Sequence, residues 1–196
     1  MDSANWDERY RSAERLWSAG PNLFVADRLG PQTPGTGLDL ASGEGRNALW
    51  LSEQGWKMTA VDFSEVAIER GRAQSDALEW VRADVLTWEP PSGVQYDLVL
   101  IAYLHLPPAD LERVIQRAVE WLAPGGEIFL IGHDKSNLDE GYGGPPVPEI
   151  LWGVETIVGW LDGLEVVEAQ VVRRPVETDE GLVYARDTLV RARASR

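Results

Sequence analysis

The chain has 196 residues, of which 44% are hydrophobic and 26% charged, a balance that is typical of a globular protein with one sizeable core. It carries 18 basic and 32 acidic residues, a net charge of −14, and a field of that sign disfavours nucleic acid and anionic lipid as partners. The lack of cysteine excludes disulfides, thiolate nucleophiles and cysteine-based zinc sites, and with only two histidines we expect no metal site.

The chain before the first predicted strand has a helical pattern. Residues 5–29 are predicted to be helical with a break at Gly20-Pro21, and Pro31–Gly37 is a turn-rich connection. We therefore expect an N-terminal helical cap over residues 1–37, followed by one globular domain over residues 38–196.

Short apolar runs then alternate with helical patterns, which is typical of βαβ units. Helices are predicted over Arg46–Gln54, from an N-cap at Ser64 to about Ala73, and along an apolar stripe from Leu111 to Leu122 that Pro124-Gly125-Gly126 ends. The predicted strands are Leu38–Ala41, Lys57–Val61, Leu78–Val81, Leu98–Ala102 and Glu127–Gly132.

The C-terminal third follows a different pattern. His133–Pro148 is rich in glycine and proline and lacks periodicity, so we expect a functional lid, and Pro148–Leu161 is predicted to be helical. Leu164–Val172 and Leu182–Val190 are strand-like, with no helix between them. The sequence therefore predicts an α/β, Rossmann-like, doubly wound fold, whose seven-stranded, mostly parallel sheet ends in an antiparallel hairpin.

A glycine-rich turn, Ser42-Gly43-Glu44-Gly45, follows the first predicted strand and precedes a helix. Small residues at this place let a ligand approach the backbone, where the first N–H groups of the helix lack partners. The spacing Gly43-x-Gly45-x-x-Ala48 also fits a nicotinamide-binding fingerprint, and a purely structural turn is a further alternative.

The acidic residues near the turn favour one class of cofactor. A pyrophosphate would lie against Glu44 and close to Asp39, where like charges repel. S-adenosylmethionine instead brings a sulfonium and an ammonium, which gain from nearby carboxylates, and its own carboxylate can use backbone N–H groups or Arg46. The charge pattern therefore favours S-adenosylmethionine over a dinucleotide.

Two more acids follow the next two strands. Asp62, 17 residues after Gly45, is placed to accept hydrogen bonds from both ribose hydroxyls, a role that both cofactor classes share. Asp84 is placed to accept from the adenine amino group, while Phe63 and Val85 offer apolar surface to the ring. The alternatives are a solvated loop carboxylate for Asp84 and ordinary core positions for Phe63 and Val85.

The segments LDLASGEGRN, AVDFS, RADV, YDLVLIAYLHL and APGGEIFLIGHD, over roughly residues 38–133, resemble the successive motifs of class I S-adenosylmethionine-dependent methyltransferases. The Gly-Arg-Asn after the turn is similar to the tellurite-resistance and thiopurine methyltransferase branch, which implies a small-molecule acceptor. The resemblance implies that the glycine loop, with Ala41, holds the methionine part, that Asp62 holds the ribose and that Asp84 meets the adenine. Ala41 and Ser42 replace the Gly-Cys or Gly-Ser pair common in that branch.

Candidate catalytic residues follow the fourth and fifth predicted strands. Ala102, Tyr103 and His105 end the fourth, and His133 with Asp134 ends the fifth, at the edge where open parallel sheets bind ligands. Ala102 is a candidate cofactor contact. Either histidine is a candidate general base, or a hydrogen-bonding partner of the acceptor or the lid. His133 and Asp134 are equally compatible with a structural pair, and Tyr103 with packing.

Two segments are candidate covers for the site. Trp6, Tyr10 and Trp17 share one helical face, which favours core packing, with a cap over the cofactor as the alternative. The predicted lid carries further candidates for closing the site, namely Asn137, Gly141, Tyr142 and Gly143.

The sequence thus predicts methyl transfer to a small molecule at sulfur, nitrogen, oxygen or a chalcogen oxyanion. The alternatives are a nicotinamide-dependent oxidoreductase and a non-catalytic module that binds S-adenosylmethionine. No signal peptide is visible at residues 1–5, and no stretch approaches the ~18 apolar residues of a membrane helix. We expect a cytoplasmic monomer or homodimer that has no nucleic acid or membrane partner.

Overall fold

Strands alternate with helices through most of the chain, in two units, Met1–Leu100 and Ile101–Arg196. The structure, a computed structural model, describes residues 3–12 and 20–196. The first unit contains α1 (Ser3–Ser12), α2 (Leu23–Leu29), β1 (Thr36–Leu40), α3 (Arg46–Glu53), β2 (Lys57–Asp62), α4 (Glu65–Gln74) and β3 (Glu79–Arg82). From β4 (Tyr96–Ala102) onward follow α5 (Pro108–Glu120), β5 (Leu122–His133), α6 (Asn137–Glu140), α7 (Val154–Val158), β6 (Glu165–Thr178) and β7 (Gly181–Arg193).

The strands form one seven-stranded sheet in the order β3-β2-β1-β4-β5-β7-β6. β2 pairs in parallel with both β1 and β3, whereas β7 pairs antiparallel with both β5 and β6. The predicted Rossmann-like α/β fold, with its seven strands and C-terminal antiparallel hairpin, is confirmed. The hairpin is longer than predicted, because the pairing of β6 with β7 continues to Thr178↔Gly181.

Burial explains why β1 and β2 form. Four of the five residues of β1 and five of the six of β2 are buried, the pattern of strands that are covered on both faces. The predicted N-cap is confirmed, since the Ser64 hydroxyl accepts a hydrogen bond from Ala67 N at 3.1 Å and α4 begins at the next residue. The predicted bounds of the first four strands differ from the observed ones by one or two residues.

The N-terminal helical prediction is confirmed where the structure describes it. The break at Gly20-Pro21 separates α1 from α2, and the Asn22 side chain caps α2 by accepting from Phe24 N at 2.9 Å. Residues 13–19, which include the predicted Trp17, lie outside the described residues.

The predicted end of the fifth helix is wrong. The helix ends at Glu120, and Leu122 is the first residue of β5. Pro124-Gly125-Gly126 lies inside this strand because the end of the chain pairs with it: Gly125 N donates to the Ser195 carbonyl at 3.0 Å, and Ala194 N donates to the Gly126 carbonyl at 2.9 Å. A pairing between residues so far apart in the chain leaves no local signal.

The predicted helix over Pro148–Leu161 is also wrong. Only a 3-10 turn, Pro148–Ile150, and the five residues of α7 are helical. Trp152 interrupts the helix by bridging to Asp134: its N–H donates to the His133 carbonyl at 2.8 Å, and its carbonyl accepts from Lys135 N at 2.8 Å. The Trp152 ring is buried against Gly132. Burial of this large ring therefore outweighs local helix propensity.

The predicted lid segment contains a short helix, α6, instead of being irregular throughout. Among residues 3–12 and 20–196, no helix is both long and apolar enough to cross a membrane.

Candidate functional site

The predicted glycine-rich turn is built from left-handed residues. Ala41 has φ 58°, Gly43 φ 59° and Gly45 φ 76°, and Gly45 N donates to the Ser42 carbonyl at 3.0 Å. These angles reverse the chain between β1 and α3, and they strain only Ala41, because glycine has no Cβ to clash. Strain at a non-glycine residue is a feature of functional sites.

The glycine at position 45 is required by a tryptophan that the sequence analysis missed. A Cβ atom on Gly45 would lie 2.3 Å from Cη2 of Trp80, and one on Gly71 would lie 2.3 Å from the same atom. The Trp80 ring on β3 is buried. The conformation of the turn therefore depends on packing between β3, α3 and α4 as well as on any ligand.

Asp62, at the end of β2, is bonded to the turn. Its Oδ2 accepts from Gly43 N at 2.8 Å, and its Oδ1 accepts from Ser64 N at 2.9 Å. Burial raises the pKa of Asp62, and these backbone hydrogen bonds oppose the rise. The carboxylate predicted to hold a ribose thus fixes the glycine-rich turn against the end of the second strand.

Asp39 lies inside the protein beneath the same turn. Only 1% of the residue is exposed, and Oδ2 has no hydrogen-bond partner among the described residues. Burial, followed by the nearby charge of Asp62, raises the pKa of Asp39 to about 8, against the opposing effects of Arg46 and the Ala48 N–H. Without a ligand, Asp39 is therefore largely protonated at neutral pH.

Glu44 has a partner of its own. Its carboxylate lies 3.0 Å from the Arg70 guanidinium on α4, and only 12% of the Glu44 side chain is exposed. From the sequence, Glu44 and Asp39 are predicted to be two free negative charges. In the structure Glu44 is paired with Arg70 and burial raises the pKa of Asp39, so the preference for a cation rests on Asp39 releasing its proton.

The candidate adenine residues follow β3. Asp84 is exposed and accepts from Leu86 N at 2.9 Å, while Val85 is buried and Phe63 is half-buried. Ala83 N donates to the Asp62 carbonyl at 2.9 Å. The ends of β2 and β3 therefore bring the ribose and adenine candidates to one edge of the sheet.

The N-terminal helix α1 docks next to this edge. Asp7 accepts from the Ser64 hydroxyl at 2.6 Å and from Val66 N at 3.3 Å. Tyr10 is buried, and its ring centroid lies 6.0 Å from that of Trp6. These contacts suit the packing interpretation for Tyr10, and they place α1 at the start of α4, two residues beyond Asp62.

The first unit also has a cavity of about 390 Å³ at the opposite ends of its strands. None of the predicted site residues lines it. Its wall includes the first residue of each of β1 to β4 and two tryptophans, Trp56 and Trp88. The cavity is therefore distinct from the predicted cofactor residues, which follow the carboxyl ends of β1, β2 and β3.

In the second unit, the catalytic candidates surround a buried acid that the sequence analysis missed. Asp187 on β7 is fully buried. Its Oδ2 accepts from the Tyr103 hydroxyl at 2.7 Å and from Arg174 Nε at 2.8 Å, and its Oδ1 lies 3.1 Å from His133 Nδ1. We call these residues, together with His105, the Asp187 cluster.

The sheet register brings the Asp187 cluster together. Asp187 lies directly opposite His133 on β5 and opposite Val172 on β6, so Arg174 is its diagonal neighbour. Tyr103, just after β4, has φ 59°, and its N–H donates to the Ile131 carbonyl at 2.7 Å. The sequence does show two opposite charges, Arg174 and Asp187, in or beside the predicted hairpin. It does not show the strand register that places them next to His133 on β5, because that register joins residues distant in the chain.

His105 stacks on His133, with ring centroids 5.4 Å apart and planes 15° apart. Burial, followed by the electrostatic effect of His133, lowers the pKa of His105 to about 4. A hydrogen bond to the Tyr103 carbonyl and the negative charge of Asp187 oppose this decrease only in part. His105 is therefore an uncharged imidazole at neutral pH.

The predicted structural pair of His133 and Asp134 does not form. Asp134 instead accepts from the Ser136 and Thr188 hydroxyls, each at 2.6 Å. Asp134 therefore fixes the chain after β5, while the His133 ring turns towards Asp187.

The segment that is predicted to be a lid packs against His133. Asn137 is buried, donates to the Gly143 carbonyl at 2.8 Å and accepts from Arg186 N at 2.7 Å. A Cβ on Gly144 would lie 2.9 Å from Cδ2 of His133, and Tyr142 is about half exposed. Asn137 thus anchors the segment, whose backbone covers one face of the His133 imidazole.

Residues 38–126 match the family model described as a methyltransferase domain. The matched segment begins within β1 and includes the glycine-rich turn, Asp62 and Asp84.

Among sequence relatives, a demethylmenaquinone methyltransferase of Clavibacter sepedonicus is 29% identical over 145 residues, which cover 72% of this chain and 54% of that protein. The chain spans about half the length of the curated relatives it matches.

Solved structures share the fold of this chain at lower sequence identity. The N-methyltransferase NodS of Bradyrhizobium japonicum, in complex with S-adenosylhomocysteine, superposes with a TM-score of 0.73 at 20% identity and full coverage of both chains. TehB of Haemophilus influenzae superposes with a TM-score of 0.72 at 17% identity, covering 100% of this chain and 68% of TehB.

Proposed function

We propose that the chain is an S-adenosylmethionine-dependent methyltransferase that acts on a small molecule. The observation that carries the proposal is the glycine-rich turn, which is hydrogen-bonded to Asp62. The turn belongs to a seven-stranded sheet in which β7 lies between β5 and the edge strand β6. The matched methyltransferase domain and relatives named as methyltransferases support it.

The residues of the turn fit the amino acid part of this cofactor. The unpartnered Oδ2 of Asp39 is a buried acceptor that a ligand ammonium would satisfy, and such a charge would favour the ionised carboxylate. We assign the carboxylate of the cofactor to the turn that contains Ala41, Gly43 and Gly45, with Arg46 at the start of α3 as its counter-charge.

The nucleoside part fits the ends of β2 and β3. We assign the ribose hydroxyls to Asp62, the adenine amino group to Asp84, and the faces of the ring to Phe63 and Val85. When bound, the cofactor supplies a methyl group on a positively charged sulfur, which is already an activated leaving group. The protein then has to orient the acceptor and exclude water.

The proposal of a small-molecule acceptor is supported by polar side chains of the second unit and by the net charge of the chain. The Asp187 cluster, with Tyr103, His105 and His133, provides polar groups next to Ala102, the last residue of β4. We propose Trp6 and Tyr10 as supports or covers of the cofactor residues of the first unit, and Asn137 and Tyr142 as supports or covers of the Asp187 cluster. With a net charge of −14, a small neutral or cationic acceptor is favoured over nucleic acid or an anionic membrane, and the oligomeric state is proposed as monomer or homodimer.

The sheet order weighs against the nicotinamide alternative. Dinucleotide-binding folds place a sixth strand in sequence order, 3-2-1-4-5-6, whereas here β7 is inserted between β5 and β6. A non-catalytic binding module is separated from an enzyme by a methyl-transfer screen across thiols, phenols, amines, tellurite and selenite. Release of S-adenosylhomocysteine with any of these acceptors supports the enzyme.

We predict that Asp62→Ala weakens binding of S-adenosylhomocysteine by about 1 to 3 kcal/mol, because a charged hydrogen-bond acceptor for the ribose is lost. Isothermal titration calorimetry measures this directly. Asp76→Ala, which removes an exposed acid of the same unit, is the control and should bind like the wild type. An unchanged dissociation constant in a folded Asp62→Ala protein, or tight binding of NADH in place of S-adenosylhomocysteine, would refute the assignment.

A further inference from the structure

The two carboxylate oxygens of Asp187 contact different side chains. Oδ2 accepts from two donors, the Tyr103 hydroxyl at 2.7 Å and Arg174 Nε at 2.8 Å. Oδ1 and His133 Nδ1 are both buried, and neither has a hydrogen-bond partner in residues 3–12 and 20–196. They lie 3.1 Å from each other. The imidazole is thus the only described polar neighbour available to Oδ1.

The position of the proton follows from this contact. Two lone pairs facing each other at 3.1 Å in a buried site would repel, so one of the two atoms carries a proton. Burial alone would raise the pKa of Asp187, but the hydrogen bond from His133, the charge of Arg174 and the hydrogen bond from Tyr103 lower it. Asp187 is therefore ionised and the proton between the two groups lies on Nδ1, so Nε2 is the ring nitrogen that can accept a proton from a substrate.

The other neighbours of His133 leave this arrangement intact. His105 stacks against the ring as an uncharged imidazole, and Gly144 packs closely against it without a side chain. Asp134 bonds to Ser136 and Thr188 instead. Arg174 is held by Oδ2 and by the Tyr103 hydroxyl, 3.0 Å away. Asp187 therefore acts on His133 without a competing carboxylate among these contacts.

We propose that His133 is the general base of methyl transfer, that Asp187 is the residue that positions it, and that the acceptor is an O–H or N–H compound. The inference rests on the proposed function and names the substrate class of the same site. The acceptor proton moves to Nε2 of His133, and the released electron pair of the oxygen or nitrogen forms the bond to the methyl carbon. The carbon–sulfur bond pair returns to sulfur, which leaves a neutral thioether. A base placed in this way serves an acceptor with a proton to lose, whereas a thiolate or a selenite ion needs none.

The tautomer is measurable by NMR, since the chain has only two histidines. In protein labelled with ¹⁵N-histidine, long-range ¹H–¹⁵N spectra distinguish Nδ1–H from Nε2–H rings, and His105→Gln assigns the two signals. We expect Nδ1–H for His133.

In Asp187→Asn, the Tyr103 and Arg174 donors would bind the amide oxygen and turn its NH₂ towards Nδ1, so we expect the signal to change to Nε2–H. Asp139→Asn, which alters an exposed acid of the same unit, should leave the tautomer unchanged. An Nε2–H ring at His133 in the wild type, or no change in Asp187→Asn, overturns the proposal.

Turnover tests the substrate class with phenol, aniline, thiophenol and selenite as probe acceptors. We expect His133→Gln to lower kcat with phenol or aniline by 10²- to 10⁴-fold, the usual contribution of a general base, while S-adenosylhomocysteine binds as tightly as in the wild type. Turnover of thiophenol or selenite alone, wild-type rates in His133→Gln, or no turnover of any probe, contradicts the assigned class. A wild-type protein that fails to bind S-adenosylhomocysteine refutes the proposed function instead, and the tautomer measurement remains valid in that case.

Discussion

Asp39→Asn should make the protein more stable and its cofactor binding weaker. Asparagine has the shape of the protonated acid but never ionises, so it removes the cost of burying a carboxyl whose pKa is raised to about 8. We expect the free energy of unfolding at pH 8 to rise by several kcal/mol, since a rise in pKa from 3.8 to about 8 corresponds to at most about 6 kcal/mol. Urea unfolding of both proteins between pH 5 and 9 measures the difference.

The sign of the pH dependence follows from the raised pKa. The folded protein keeps a proton on Asp39 that the unfolded chain loses near pH 3.8, the ordinary value. Wild-type stability relative to Asp39→Asn is therefore highest below pH 4, falls as the pH rises towards 8 and is constant above it. Asp76→Asn, an exposed acid of the same unit, should show no such difference. A constant gap between the wild type and Asp39→Asn from pH 5 to 8 would contradict the buried, protonated carboxyl.

The same substitution tests the proposed cofactor. If an ammonium group replaces the proton on Asp39, wild-type affinity for S-adenosylhomocysteine should increase from pH 6 to 8, because binding then requires less proton release. In Asp39→Asn the affinity should be lower, by about 1.5 to 3 kcal/mol for a hydrogen bond to a charged group, and independent of pH in this range. Calorimetry at pH 6, 7 and 8 measures both effects.

Gly45→Ala should destabilise the first unit strongly, even with no ligand present. The new Cβ would lie 2.3 Å from the Trp80 ring, and the residue would keep a φ of 76°. Overpacking costs about 1 to 3 kcal/mol, and a left-handed alanine costs about 1 to 2 kcal/mol. We expect a loss of about 2 to 5 kcal/mol in the free energy of unfolding, measured by urea denaturation.

Substitutions at two other glycines distinguish the cost of the clash with Trp80 from the cost of the left-handed backbone angle. Gly93 has φ 81° with nothing within 4 Å of a Cβ, whereas a Cβ on Gly71 meets Trp80 at 2.3 Å within a helix. Gly93→Ala should therefore lose only the cost of the backbone angle, and Gly71→Ala mainly the cost of the clash. Equal losses in Gly45→Ala and Gly93→Ala would show that Trp80 does not restrict the turn.

The first unit was largely predictable because its signals are local. The glycines of the turn, the N-cap at Ser64 and the alternation of β1, β2 and β3 with helices are visible in short stretches of sequence, whereas the packing of Trp80 against Gly45 is not. The charges of Asp39 and Glu44 were harder to judge. Their states depend on burial and on Arg70, 26 residues beyond Glu44, and the sequence reveals neither.

The second unit was predictable in type but not in detail. The hairpin of β6 and β7 is visible in the sequence, whereas the bridge at Trp152 and the strand through Pro124 depend on partners that are distant in the chain. His133 was selected from its position after a strand, but its partner Asp187 lies 54 residues further on, in β7. Strand register decides that contact, and alternating side chains alone do not fix the register.

This dependence on register affects how the chemistry can diverge among related proteins. Successive side chains of β7 point to opposite faces, so one inserted or deleted residue between the hairpin turn and Asp187 would turn the acid away from His133. The seven strands and the glycine-rich turn would remain. If His133 is the base that we propose, a change in the length of this one hairpin would abolish proton removal and leave the rest of the scaffold unchanged.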